Sequence, residues 1–121
     1  MVIKNADYLP VENAIIVPRT NKNQKNVSAT QFKKRVDEVR SKLSGYFGGY
    51  TSVTAVGGYY SGRLKRLIKE DAVIVWSYGT KAAYKKNRSK LISYCRDLCR
   101  RWGQEAIGYI HESDLYYIKK N

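Results

Sequence analysis

The sequence predicts an α+β domain with a split βαβ order, and three observations predict it. Short apolar, β-branched runs at Ala14–Val17, Tyr50–Val56, Asp71–Tyr78 and Ala106–His111 read as strands. Two stretches place apolar side chains at successive spacings of 4, 3 and 4, the stripe of an amphipathic helix. In chain order these give strand, helix, two strands, helix, strand, with Leu115–Ile118 as a possible extra strand at the C-terminal end.

The first strand is the run Ala14-Ile15-Ile16-Val17, closed by Pro18. Arg19 to Asn26 holds no apolar residue, so residues 19–27 are expected to form a basic, mobile loop. Ser28 followed by Gln31 offers a capping box, and Phe32, Val36, Val39 and Leu43 form the apolar face of the first helix, which Gly45 is expected to end. The second strand breaks at Gly57-Gly58, where a bulge or bend is expected, and Tyr59 to Lys69 reads as a hairpin arm or a long turn. Asp71–Tyr78 is apolar on both faces and is expected at the centre of the sheet. Leu91, Cys95, Leu98 and Trp102 mark the second helix, which starts at Thr80 or at Asn87 and stops at Gly103. The last two strands flank the turn Glu112-Ser113-Asp114.

Together these elements make a ferredoxin-like βαββαβ sandwich, with two helices on one face of an antiparallel sheet. Its 121 residues suit one domain over 1–121, with residues 1–11 as an N-terminal extension. No apolar run approaches the roughly 20 residues that span a bilayer, and the first residues lack the pattern of a secretory leader. Cys95 and Cys99 fall on the apolar helix face as small core residues, which suits reduced thiols in a cytoplasm.

One histidine and two cysteines do not make a zinc site, no acidic cluster suggests another metal, and no phosphate-binding glycine motif is present, so no metal or cofactor is expected. The net charge of +13 is the loudest signal. It suits contact with nucleic acid or an acidic protein, with Arg63, Lys65, Arg66, Lys85, Lys86 and Arg88 as candidates. The clusters are spread over every element rather than along one stripe, however, and a merely solvated cationic surface explains them better.

Ten carboxylates among 23 cations are scarce, which makes their positions informative. Glu70 opens the third strand just after Tyr59 and Tyr60, and Glu105 follows Trp102 and Gln104 ahead of the fourth. Such a pair suits a site where a carboxylate holds a cation or acts as a base while a tyrosine hydroxyl orients a ligand. The structural alternative has Gln104 and Glu105 satisfying backbone donors and Glu70 paired with a nearby lysine.

The runs Gly57-Gly58-Tyr59-Tyr60, Glu70 and Trp102-Gly103-Gln104-Glu105 resemble those of the phage-encoded S-adenosylmethionine (SAM) lyases, formerly called SAM hydrolases. Small bacterial proteins of the same fold share much of the pattern. The resemblance implies a trimer with sites between subunits, acting for a phage or mobile element. It implies cleavage of SAM to methylthioadenosine and homoserine lactone, which starves restriction–modification systems of their cofactor. By position, Tyr59 or Tyr60 would contact the adenosyl ligand, Glu70 would hold the cationic substrate or polarise the reaction, and Trp102, Gln104 and Glu105 would support the pocket. A sulfonium substrate does not account for the positive charge.

Overall fold

A computed structural model describes residues 1–121. Its elements are β1 (Val11–Pro18), α1 (Ala29–Phe47), β2 (Thr51–Ser61), β3 (Arg66–Gly79), α2 (Lys81–Trp102), β4 (Ile107–His111) and β5 (Asp114–Ile118). The strands form one antiparallel sheet in the order β2-β3-β1-β4-β5. The first four strands have the ferredoxin-like arrangement, and β5 extends it at the β4 edge.

Both helices cover one face of the sheet. Val36, Val39 and Leu43 from α1 meet Leu91, Cys95, Leu98 and Trp102 from α2 over Ile15, Val17, Val75, Ile107 and Tyr109. Cys95 and Cys99 are buried free thiols, and burial pushes the Cys95 thiol up to about 12, so it behaves as a small apolar residue. The opposite face has no layer upon it.

Local rules set the element ends. The Ser28 hydroxyl accepts the Gln31 N–H at 3.1 Å and starts α1. That helix runs past Gly45 and ends at Gly48, whose φ of 102° is the left-handed cap that glycine favours. Thr80 caps α2 by accepting the Ala83 N–H, which settles the choice between Thr80 and Asn87. Asn87 is instead buried within the helix and donates to the Tyr46 carbonyl at 3.0 Å.

Two strand expectations are corrected. Gly57-Gly58 neither bulges nor bends, because Gly57 pairs with Glu70 and Gly58 with Lys69 in an unbroken ladder. The arm is therefore strand on both sides of a tight turn at residues 62–65, closed by the Lys65 N–H donating to the Ser61 carbonyl at 2.7 Å. β3 is an interior strand, but the middle of the five is β1, since the added β5 shifts the centre of the sheet.

Candidate functional site

The β2–β3 hairpin is longer than β1, so its distal half projects past the sheet. Pro18 pairs with Ala72, and the Arg19 N–H still donates to the Asp71 carbonyl. The next step brings Thr20 opposite Glu70. Glu70 consequently lies four residues inside β3 rather than at its start.

The Thr20 hydroxyl donates to Glu70 Oε2 at 2.9 Å. The carbonyl of Thr20 accepts from Arg35 Nη1 at 2.9 Å and from Gln104 Nε2 at 2.7 Å. Thr20 is only 3% exposed, so this one residue ties α1, the hairpin and the segment after α2 into a fixed frame. The 19–27 segment closes on itself through a Thr20–Asn26 bridge and the Arg19 Nε–Val27 carbonyl bond at 3.1 Å.

Arg35 occupies the apolar face of α1 and is buried. Its guanidinium donates to the Pro18 carbonyl at 2.8 Å and lies 4.9 Å from the centre of the Trp102 ring. Burial lowers its pKa, and the Glu70 charge opposes that shift. Glu70 answers in kind. Burial raises its carboxyl above the usual range, while the Thr20 hydroxyl and the Arg35 charge pull it back.

Tyr59 pairs with Ile68 and is thus a diagonal neighbour of Glu70 on the same face. Its hydroxyl donates to Gln24 Oε1 at 3.1 Å. Burial raises the phenol pKa, and the charges of Glu70 and Glu105 raise it further, so Tyr59 is a neutral donor at pH 7. Glu105 stands at the open side with 66% of its side chain exposed, 3.9 Å from Arg63 Nε.

The fold therefore gathers Tyr59, Glu70, Gln104 and Glu105. Tyr60 points to the other face of the hairpin opposite Leu67 and is 67% exposed. Trp102 is drawn into the core and backs the cluster through Arg35. The basic candidates divide between two regions. Arg63, Lys65 and Arg66 lie at the hairpin tip, whereas Lys85, Lys86 and Arg88 lie in the first half of α2, towards the other end of the sheet.

Thr20, Gln24 and Arg35 are additions that the sequence reading passed over. Arg35 carried a signal, since it falls between Phe32 and Val39 on the helix's apolar stripe. Thr20 and Gln24 sit in an aperiodic polar stretch that offers none. Chemically, the cluster sets a partly desolvated carboxylate beside a neutral phenol, an arrangement suited to a cationic group.

The fold is shared with solved structures. A phage SAM lyase in complex with S-methyl-5'-thioadenosine superposes with a TM-score of 0.67 at 16% identity, over 98% of this chain and 96% of that one. A phage SAM lyase in the apo state gives 0.61 at 17% identity, over 90% and 88% of the two chains. At such identities the likeness is one of fold. No protein-family model matches the chain, and no curated protein matches it in sequence.

Proposed function

We propose that the Tyr59–Glu70–Glu105 cluster binds the adenosyl sulfonium of SAM and that the chain is a SAM lyase. The observation that carries this reading is the half-buried Glu70, fixed by Thr20 and adjoined by Tyr59 and Glu105. The methylthioadenosine held by the structural neighbour supports the ligand class.

In this reaction the substrate's own carboxylate oxygen attacks its γ-carbon. The carbon–sulfur bond breaks with its electron pair passing to sulfur, giving methylthioadenosine and homoserine lactone. No water is consumed and no net proton moves. Sulfonium and carboxylate charges annihilate on the way, so a folded substrate pose and exclusion of water accelerate the step. Glu70 attracts the sulfonium chiefly before that charge is lost, and so acts mainly in substrate binding. Tyr59 exchanges its Gln24 partner for the ligand, to which it then donates, and Gln104 with Thr20 fixes the frame.

The uncovered sheet face completes the reading. It presents Ile16, Val53, Ile74, Trp76, Ile110 and Tyr117, and the same face leads past Ala72 to Glu70 and Tyr59. A net charge of +13 drives copies apart elsewhere, so this weakly charged apolar face is where a second copy associates. Association there walls the cluster from water, in keeping with the trimer that the resemblance implies. On this reading the protein acts in the host cytoplasm of a phage or mobile element and depletes the methyl donor of restriction systems.

Calorimetric titration with methylthioadenosine tests the site. Saturable binding that Tyr59→Phe weakens supports it, together with a KM for SAM that Glu70→Gln raises, since the neutral thioether lacks the charge that Glu70 attracts. Absence of binding, or a KM indifferent to Glu70→Gln, removes it. Light scattering after chromatography tests the assembly, since Ile74→Asp should release monomers.

A further inference from the structure

The basic clusters that look scattered in sequence are gathered by the fold. α1 carries five cations and two carboxylates and α2 eight cations and one, so the helical layer holds +10 of the net +13. These charges are not distributed evenly within that layer. Asp37, Glu38 and Asp97 engage Lys33, Arg40 and Arg101 at the end where α1 begins and α2 finishes. Lys81, Lys85, Lys86, Arg88 and Lys90 are all exposed and make no ion pair.

This placement works against the helix itself. The pairs 81/85 and 86/90 are like charges one turn apart, which repel along the helix. Lys81 stands in the first turn of α2, where the helix dipole disfavours cations and no acid offsets it, and the others crowd the next two turns. A cost of that kind is offset when a polyanion is bound.

Beside them, a cleft of about 480 Å³ runs between the helices, lined by Ser41, Lys42, Gly45, Lys86, Asn87 and Lys90 among others, with no carboxylate in its wall. No large apolar side chain is exposed on either helix. Tyr46, the aromatic in the cleft wall, is half-buried and edge-on to Phe47, so the face offers neither the exposed anchors of a protein interface nor the row of open rings on which a single strand stacks. What remains is point charges and small hydrogen-bonding groups spaced along a rod, which suit the phosphate backbone of a duplex.

We propose that the α1–α2 face, centred on Lys42, Lys86 and Lys90 and flanked by Lys81, Lys85 and Arg88, binds double-stranded DNA through its phosphates without regard to sequence. This surface is separate from the Glu70 cluster and stands or falls independently of it.

Anisotropy of a labelled 24-base-pair duplex of arbitrary sequence tests the proposal with the full chain. Neutralising four to five phosphates predicts a slope of log affinity against log salt of about −4, an affinity loss on the order of 10²-fold between 50 and 200 mM salt. Lys86→Gln with Lys90→Gln should weaken binding about 10-fold and flatten the slope by about 2, while Lys65→Gln with Arg66→Gln at the hairpin tip leaves both unchanged. Circular dichroism establishes that each variant is folded. The proposal is overturned by absence of binding at 50 mM salt, by equal loss in the hairpin variant, by preference for the single strand, or by polyglutamate competing as well as DNA at equal charge.

Discussion

Thr20 and Glu70 are fifty residues apart in sequence and joined by a hydrogen bond of 2.9 Å, with the Thr20 carbonyl simultaneously accepting from Arg35 and Gln104. The half-buried carboxylate is therefore held by a frame built from three separate parts of the chain. The site's geometry depends on that frame more than on any one motif.

The first prediction concerns the cost of keeping Glu70 charged. Its folded pKa is raised, chiefly by burial, so its contribution to stability is complete below the ordinary glutamate range and is lost as pH rises through the folded value. Glu70→Gln should therefore raise the melting temperature relative to the parent, by more at pH 8 than at pH 4. A variant less stable than the parent at pH 8 contradicts this.

The same shift sets a pH dependence for binding. As pH falls from neutrality through the raised Glu70 value, the carboxyl is neutralised and the affinity for a sulfonium weakens. KM for SAM should climb on acidification more than kcat falls, and the Glu70→Gln variant should show no such climb. A KM flat from pH 7.5 down to the ordinary glutamate range in the parent rules it out.

Tyr59 and Tyr60 provide an internal comparison, since consecutive strand residues face opposite ways. Tyr59→Phe removes the hydroxyl that adjoins Glu70 and should cost methylthioadenosine affinity about 5- to 10-fold, the worth of one hydrogen bond. Tyr60→Phe should leave affinity within about 2-fold. Titration of both variants checks the pair, and an equal loss in each refutes the assignment.

A fourth prediction lies in the core. Asn13 is fully buried, and its Oδ1 accepts from the Tyr109 hydroxyl and adjoins His111 Nδ1 at 3.3 Å, while its Nδ2 has no partner. Tyr109→Phe leaves this amide still less satisfied and should cost about 1–2 kcal/mol. Urea denaturation reads that loss directly, and an unchanged midpoint would show that the network carries no stability.

A fifth concerns packing at the top of the sheet. A Cβ on Gly79 would stand 2.7 Å from Phe47 Cδ1 and 3.3 Å from Phe47 Cβ. Phe47 is buried at the end of α1, so Gly79→Ala should destabilise by about 1–3 kcal/mol. The denaturation midpoint measures it, and a neutral result would mean that the helix end yields.

The order of elements was legible in the sequence because periodicity reports burial. Leu43 and Leu98 belong to stripes at helical spacing, and Ile15 to a β-branched run that ends at a proline. Where a glycine acts was less legible. Gly45 and Gly57 have the composition of a cap and a bulge, yet the apolar contact of Phe47 and the ladder partners of β3 carry helix and strand through them. Glu70, Glu105 and Gln104 were readable as candidates because acids are scarce in so basic a chain. Tyr59 was separated from Tyr60 only by strand register, and Thr20 only by its tertiary contacts. The concentration of charge on the helical face was hidden because sequence order alternates helices with strands.

The central claim is tested most directly by incubating the purified chain with SAM and separating the products by liquid chromatography with mass detection. Methylthioadenosine and homoserine lactone are expected in equal amounts from the parent, and in sharply lower yield from Glu70→Gln at SAM concentrations below KM. SAM recovered intact by a folded parent protein, beyond its slow spontaneous decay, would contradict it.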